Sequence, residues 1–98
     1  MSLTGKQKRF LRGLGHSVKS STMVGKSGLT PSTISSANEA FNTRELIKVK
    51  IQDGCPSDKN DVAERIAEAT GASIVQILGN TILFFKRDHQ KPKIELPD

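Results

Sequence analysis

Apolar residues recur along this chain with two periods, and the switches between them divide it into elements. Phe10, Leu11, Leu14 and Val18 follow one another at three- and four-residue steps, which predicts one face of a helix. Thr4 and Gln7 have the spacing of a capping box that opens this helix. Lys6, Lys8, Arg9 and Arg12 fall on its other faces. Gly13 and Gly15 each cost about 1 kcal/mol in a helix interior. Either the helix frays after Arg12, or these glycines admit a closely packed neighbour. After the polar joint Ser20-Ser21-Thr22, Thr22-Met23-Val24 predicts a short strand. A second helix is expected from Pro31 to Asn42, capped by Thr30, with Ile34, Ala37 and Phe41 on its buried side.

From Arg44 to Ile51 the period becomes two: Ile47, Val49 and Ile51 share one face of a strand, and Lys48 and Lys50 the other. The turn-rich run Asp53-Gly54-Cys55-Pro56-Ser57 follows. Ser57 or Asp58 then caps a third helix whose apolar side is Val62, Ala63, Ile66 and Ala69 and whose terminator is Gly71. Asp61 and Glu64 lie near its positive end. Ser73–Leu78 and Thr81–Lys86 read as strands joined by a Gly79-Asn80 turn of type II′. Phe84 and Phe85 point to opposite faces, so the last strand is expected to be central or covered on both sides. The order α-β-α-β-α-β-β predicts an α/β domain, a two-layer sandwich on a mixed four-stranded sheet, over residues 1–87. Crossovers between parallel strands are expected to be right-handed. Residues 88–98, polar and with two prolines, are expected to form a mobile tail.

Composition narrows the function classes. The 98 residues suffice for one modest core. No apolar run is long enough to span a membrane, and the N-terminal residues lack a signal peptide's apolar stretch, so a cytoplasmic protein is expected. The single cysteine, Cys55, excludes an internal disulfide and agrees with a reducing compartment. The net charge of +5 is unevenly spread. Lys6, Lys8, Arg9, Arg12, Lys19 and Lys26 face no acid before Glu39, whereas the remainder of the chain is close to neutral. Such a basic segment attracts polyanions, above all nucleic acid.

The candidate chemistry sits at the end of that segment, in Val24-Gly25-Lys26-Ser27-Gly28-Leu29-Thr30-Pro31. Gly25 and Gly28 bracket Lys26 and Ser27, and a helix start follows at once. Glycine permits close backbone approach, a helix N-terminus attracts phosphate, and Lys26 adds a mobile charge. The stretch therefore reads as a phosphate-backbone cradle. It is not a nucleotide P-loop, because the first glycine of that motif should stand where Ser20 is.

Several blocks together resemble a known family. They are Leu3-Thr4-Gly5-Lys6-Gln7, Leu11-Arg12-Gly13-Leu14 with His16, Gly25-Lys26-Ser27-Gly28-Leu29-Thr30, Glu45-Leu46-Ile47-Lys48-Val49-Lys50, and Ala69-Thr70-Gly71-Ala72 with Val75-Gln76 and Gly79. In this order, from about Leu3 to Arg87, they resemble the YhbY family, the stand-alone bacterial form of the CRM (chloroplast RNA splicing and ribosome maturation) domain. The resemblance implies a fold similar to the C-terminal domain of translation initiation factor three. It also implies binding to RNA, with precursor rRNA of the large ribosomal subunit as the expected partner. The matched contact positions are Lys6, Lys8, Arg9 and Arg12 and the loop Gly25-Lys26-Ser27-Gly28. Ser20, Asn80 and Phe85-Lys86 depart from the family pattern.

The residues and the resemblance predict the same mechanism. Loop N–H groups hold phosphates while Lys and Arg, Lys19 included, add screened attraction, as in a Gly-x-x-Gly clamp over about four nucleotides. Lys48 and Lys50 are candidates to extend the basic surface. With no Trp or Tyr and four Phe, a sheet of stacking aromatics is not expected. Catalysis is not expected either: Cys55, His16 and His89 do not make a zinc set, no Ser/His/Asp constellation is visible, and no cofactor is implied. His16 reads as a structural or helix-end residue. Duplex DNA is not an expected partner, since no helix-turn-helix pattern accompanies the first helix. The rival reading is a protein-interaction module that docks on a ribosomal protein through the acidic third helix and the tail.

Overall fold

The computed structural model describes residues 3–98; Met1 and Ser2, the first two residues of the expected domain, lie outside them. The elements are α1 (Gly5–Gly15), β1 (Ser20–Val24), α2 (Pro31–Phe41), β2 (Leu46–Ile51), α3 (Lys59–Thr70), β3 (Ser73–Leu78) and β4 (Thr81–Phe85). Their order is the expected one. The caps are local chemistry: Thr4 and Gln7 complete the capping box on α1, Thr30 caps α2, and Asp58 caps α3. Gly71 ends α3 at φ 79°, a left-handed conformation that suits glycine. Gly79 opens the hairpin at φ 57°, as a II′ turn requires.

The sheet order is β1-β2-β4-β3. β1 and β2 pair in parallel, and β4 runs antiparallel between β2 and β3. β1, β2 and β3 therefore all point one way, and β4 is central, as its two phenylalanines predicted. Alternation along the strands sends successive residues to opposite faces. Ile47, Val49, Ile51, Ile82 and Phe84 meet α2 and α3, while Leu46, Leu83 and Phe85 meet Leu11 of α1. Fully burying Phe84 and Phe85 contributes about 1.5–3 kcal/mol each. The two-layer sandwich describes the α2/α3 face; α1 adds a partial third layer on the other.

In α1 one alternative left by the pattern is decided and one expectation is corrected. The helix continues through Gly13 to Gly15 instead of fraying after Arg12. A Cβ on Gly15 would lie 2.7 Å from Leu83 Cδ2, so this glycine lets the helix settle onto β4. The helix buries Leu11 and Gly15, with Leu3 and Val18 beside them, whereas Phe10 and Leu14 stay 40% and 38% exposed. α1 thus rests on the sheet along a narrow line, and half of its apolar stripe faces outward.

Residues 88–98 form no helix or strand, but they are tied to the domain. The Glu45 side chain is fully buried, and its carboxylate accepts hydrogen bonds from the N–H groups of Asp88 (2.8 Å), Lys93 (2.7 Å) and Ile94 (2.6 Å). Arg87 pairs with it at 3.2 Å and lies over the Phe85 ring. Ile94 and Leu96 pack on the α1-side core, and the Gln7 amide donates to the Pro97 carbonyl. Burial pushes the Glu45 pKa up, but the three N–H donors and Arg87 outweigh it and hold the carboxyl below its ordinary value. The segment expected as a tail is a strap laced around one buried carboxylate.

Candidate nucleic-acid interface

Three loops meet at the carboxyl ends of the parallel strands: residues 25–30 after β1, residues 52–58 after β2, and the Gly79-Asn80 turn after β3. Gln52 N–H donates to the Val24 carbonyl (2.8 Å) and Ile51 N–H to the Asn80 carbonyl (2.7 Å). The Asn80 amide donates to Asp53 Oδ1 at 3.0 Å, and Lys59 Nζ to the Gly79 carbonyl at 2.6 Å. In open α/β sheets this end of the strands is where ligands bind.

The glycine loop is a tight turn closed by the Gly28 N–H on the Gly25 carbonyl at 3.0 Å. Its central residues, Lys26 and Ser27, have negative φ and are exposed; Gly28 follows at φ 79°. Gly28 therefore meets a backbone requirement that costs other residues about 1–2 kcal/mol. Gly25 has an ordinary φ, and its role is spatial: a Cβ there would sit 3.4 Å from Gln52 Oε1. The stem of Lys26 runs past Gly54, held away from its own turn. The start of α2 is less open to an anion than the sequence suggests. Pro31 has no N–H, and the N–H groups of Thr33 and Ile34 are taken by Thr30. In the first turn only Ser32 keeps an N–H without a backbone acceptor.

Two hollows lie side by side on the sheet face that carries α1. The first, of about 140 Å³, runs between α1 and the sheet and is lined by Arg12, Gly15, His16, Lys48, Gln76, Leu78, Thr81 and Leu83. The second, wider at about 540 Å³, lies under the glycine loop and is lined by Met23, Lys26, Lys50, Ile51, Gln52, Asp53 and Asn80. Lys48 and Lys50, two apart on β2 and on one face, join them. Among the described residues the one ion pair is Arg87–Glu45, so none of Arg12, Lys26, Lys48 and Lys50 is ion-paired; Asp53, which lines the second hollow with Lys26 and Lys50, accepts from the Asn80 amide.

The candidate residues divide accordingly. Arg12 and Lys48 share the first hollow; Lys26 and Lys50 share the second. Gly25, Ser27 and Gly28 form the turn above it. Lys8 and Arg9 are exposed on α1 one turn before Arg12, and Lys8–Arg12–His16 makes a single stripe at four-residue spacing. Lys6 follows the other stripe, with Phe10 and Leu14. Lys19 precedes β1, at the strand's opposite end from the glycine loop, and lines a separate hollow with Arg44. His16 is the C-cap of α1, as read, and also a wall of the first hollow. Gln76, Thr81, Gln52 and Asn80 enter the hollows without having been singled out as contacts. The pairing β2–β4–β3, which puts Gln76, Thr81 and Asn80 beside the lysines, is a long-range feature that no local pattern encodes.

A mixed four-stranded α/β domain with a cationic face and a glycine turn at its strand ends defines a class, and the comparisons specify it. Residues 3–86 match the CRS1 / YhbY (CRM) domain. YqeI of Bacillus subtilis, named a probable RNA-binding protein, is 45% identical over 97% of this chain and 99% of its own length. An RNA-binding protein of Haemophilus influenzae is 35% identical over 98% of this chain and 96% of that one. The solution structure of SAV1595 from Staphylococcus aureus superposes with a TM-score of 0.83 at 38% identity, covering 98% and 100% of the two chains. The chain belongs to the CRS1/YhbY (CRM) domain family.

No helix among the described residues is long and apolar enough to cross a membrane. No group of three or more His, Cys, Asp or Glu side chains among them is placed to hold a metal ion.

Proposed function

We propose that this protein binds RNA along the face that joins α1 to the glycine loop, and that it acts in assembly of the large ribosomal subunit on precursor rRNA. The observation that carries the binding reading is the run Arg12–Lys48–Lys50–Lys26 across one sheet face, with no acid paired to any of them. Four cations free of internal partners leave their charge for phosphates, and phosphate contacts supply most of the affinity of such an interface. The turn at Gly25–Gly28 brings backbone N–H groups to the same edge. Lys8 and Arg9 extend the track along α1. The RNA-binding names of full-length relatives support the reading, and the ribosomal role rests on the family resemblance.

The combined variant Arg9→Ala, Arg12→Ala and Lys26→Ala tests it. Crosslinking in growing cells should enrich large-subunit precursor rRNA on the parent protein and lose that enrichment on the variant. If the variant keeps its association with ribosomal particles while losing RNA contact, docking through the acidic α3 and the strap takes its place.

A further inference from the structure

The first hollow has a feature that phosphate binding does not use. β3 carries a bulge: Ile74 pairs with Phe84 and Gln76 with Leu83, leaving Val75 as the extra residue. Strict alternation would turn Gln76 to the opposite face from Val75. With the bulge, Val75 packs into the α1-side core and Gln76, its neighbour, lines the hollow on that same side. Bulges re-aim side chains in this way. The Gln76 side chain, half-buried, makes no hydrogen bond within the protein among the described residues. It is set beside an apolar floor of Leu83, with Leu78 at the rim 65% exposed and Thr81 between the strands. Arg12 and Lys48 stand at the edge.

We propose that this hollow receives one unstacked nucleobase of a bound RNA strand, with Gln76 reading its edge. The proposal rests on the RNA-binding reading above and adds a site to it. An apolar floor with a free amide at one wall suits a flat ring that carries a donor and an acceptor side by side. Glutamine pairs in this bidentate way with adenine N6 and N7. The flanking cations suit the phosphates on either side of that base, and the strand then continues past Lys50 to Lys26. Stacking is not the means. Phe41, Phe84 and Phe85 are buried, and Phe10 lies on the other flank of α1. Gly15 keeps the wall of the hollow low where any side chain would press on Leu83.

The experiment compares fluorescence anisotropy on four probes: single-stranded A, C and U oligomers of about eight nucleotides, within the usual span of one binding domain, and an abasic ribose-phosphate strand of equal length. The parent should bind at least one base-bearing strand about tenfold tighter than the abasic one, within the range that one good bidentate base contact contributes. Gln76→Ala should level the differences among A, C and U. Leu78→Ala, at an exposed position where folding is not at stake, should shrink the gap between base-bearing and abasic strands. Both variants should keep the parent's salt dependence. Equal binding of abasic and base-bearing strands by the parent overturns the base site and leaves the phosphate track standing. So does discrimination that neither variant alters. Failure of the parent to bind any strand removes the RNA reading and this site with it. A ribosomal-protein peptide that shifts the Leu78 and Leu83 methyl resonances where RNA does not would give the hollow to protein and overturn the proposal.

Discussion

Gly13 and Gly15 stand two residues apart in α1 and meet different surroundings. A Cβ on Gly13 has nothing within 4 Å, while one on Gly15 reaches Leu83 Cδ2 at 2.7 Å and Cδ1 at 3.3 Å. Leu83 is 4% exposed, and both of its methyls lie against that position, so they would have to turn into the hollow they floor. Gly13→Ala should therefore stabilise the protein by about 0.5–1 kcal/mol through helix propensity alone. Gly15→Ala gains the same propensity but forces both Leu83 methyls off their packed positions at about 1–3 kcal/mol, so it should destabilise. Urea midpoints of the two variants on either side of the parent's would bear this out; two shifts of the same sign would not. The sequence offered both glycines as breakers or close-approach points. Only the partner on β4, Leu83, 68 residues further along the chain from Gly15, separates their roles.

At the scale of elements, helices and strands were legible wherever a cap or terminator coincided with a change of period, as at Thr4, Thr30, Asp58 and Gly71. The face that α1 buries was less legible. Phe10 and Leu14 fit the helical period as well as Leu11 does, and only packing decides which of them meets the sheet. The strap was missed because its anchor is a charge. Glu45, the residue before β2, is one acid among ten, and its burial depends on donors from residues 87–94. The alternation Ile94-Glu95-Leu96 was the available local signal.

The strap also has a pH signature. Glu45 is held below its ordinary pKa in the folded state, so its stabilisation is complete above the unfolded value of about 4.3 and is lost as pH falls through the lower folded value. Glu45→Gln removes the charge from a buried cluster of donors and should cost about 3 kcal/mol at neutral pH. It should also flatten the acid limb of a stability–pH curve and speed hydrogen exchange at Lys93 and Ile94. Unchanged exchange at these two amides would mean that Glu45 does not hold the strap.

For the molecule as a whole, charge asymmetry was visible in the sequence, but its focusing was not. The acid-free N-terminal segment suggested a single basic stripe. Folding leaves Lys19 at one end of β1 and Lys6 on the outward stripe of α1, and brings in Lys48 and Lys50, already candidates from the strand alternation, from the nearly neutral remainder of the chain. Strand order does this: β2 lies in mid-sheet and carries its lysines between α1 and the glycine loop. If one RNA strand follows the whole face, both ends must contribute to the same counterion release. Titration of single-stranded RNA binding against salt is the direct measurement. With about four phosphates engaged, log K should fall against log salt with a slope of about −3, and Arg12→Ala and Lys26→Ala should each lessen it by about 0.7 and together by about 1.4. A slope near zero, or one that responds to only one of the two substitutions, would contradict a continuous face.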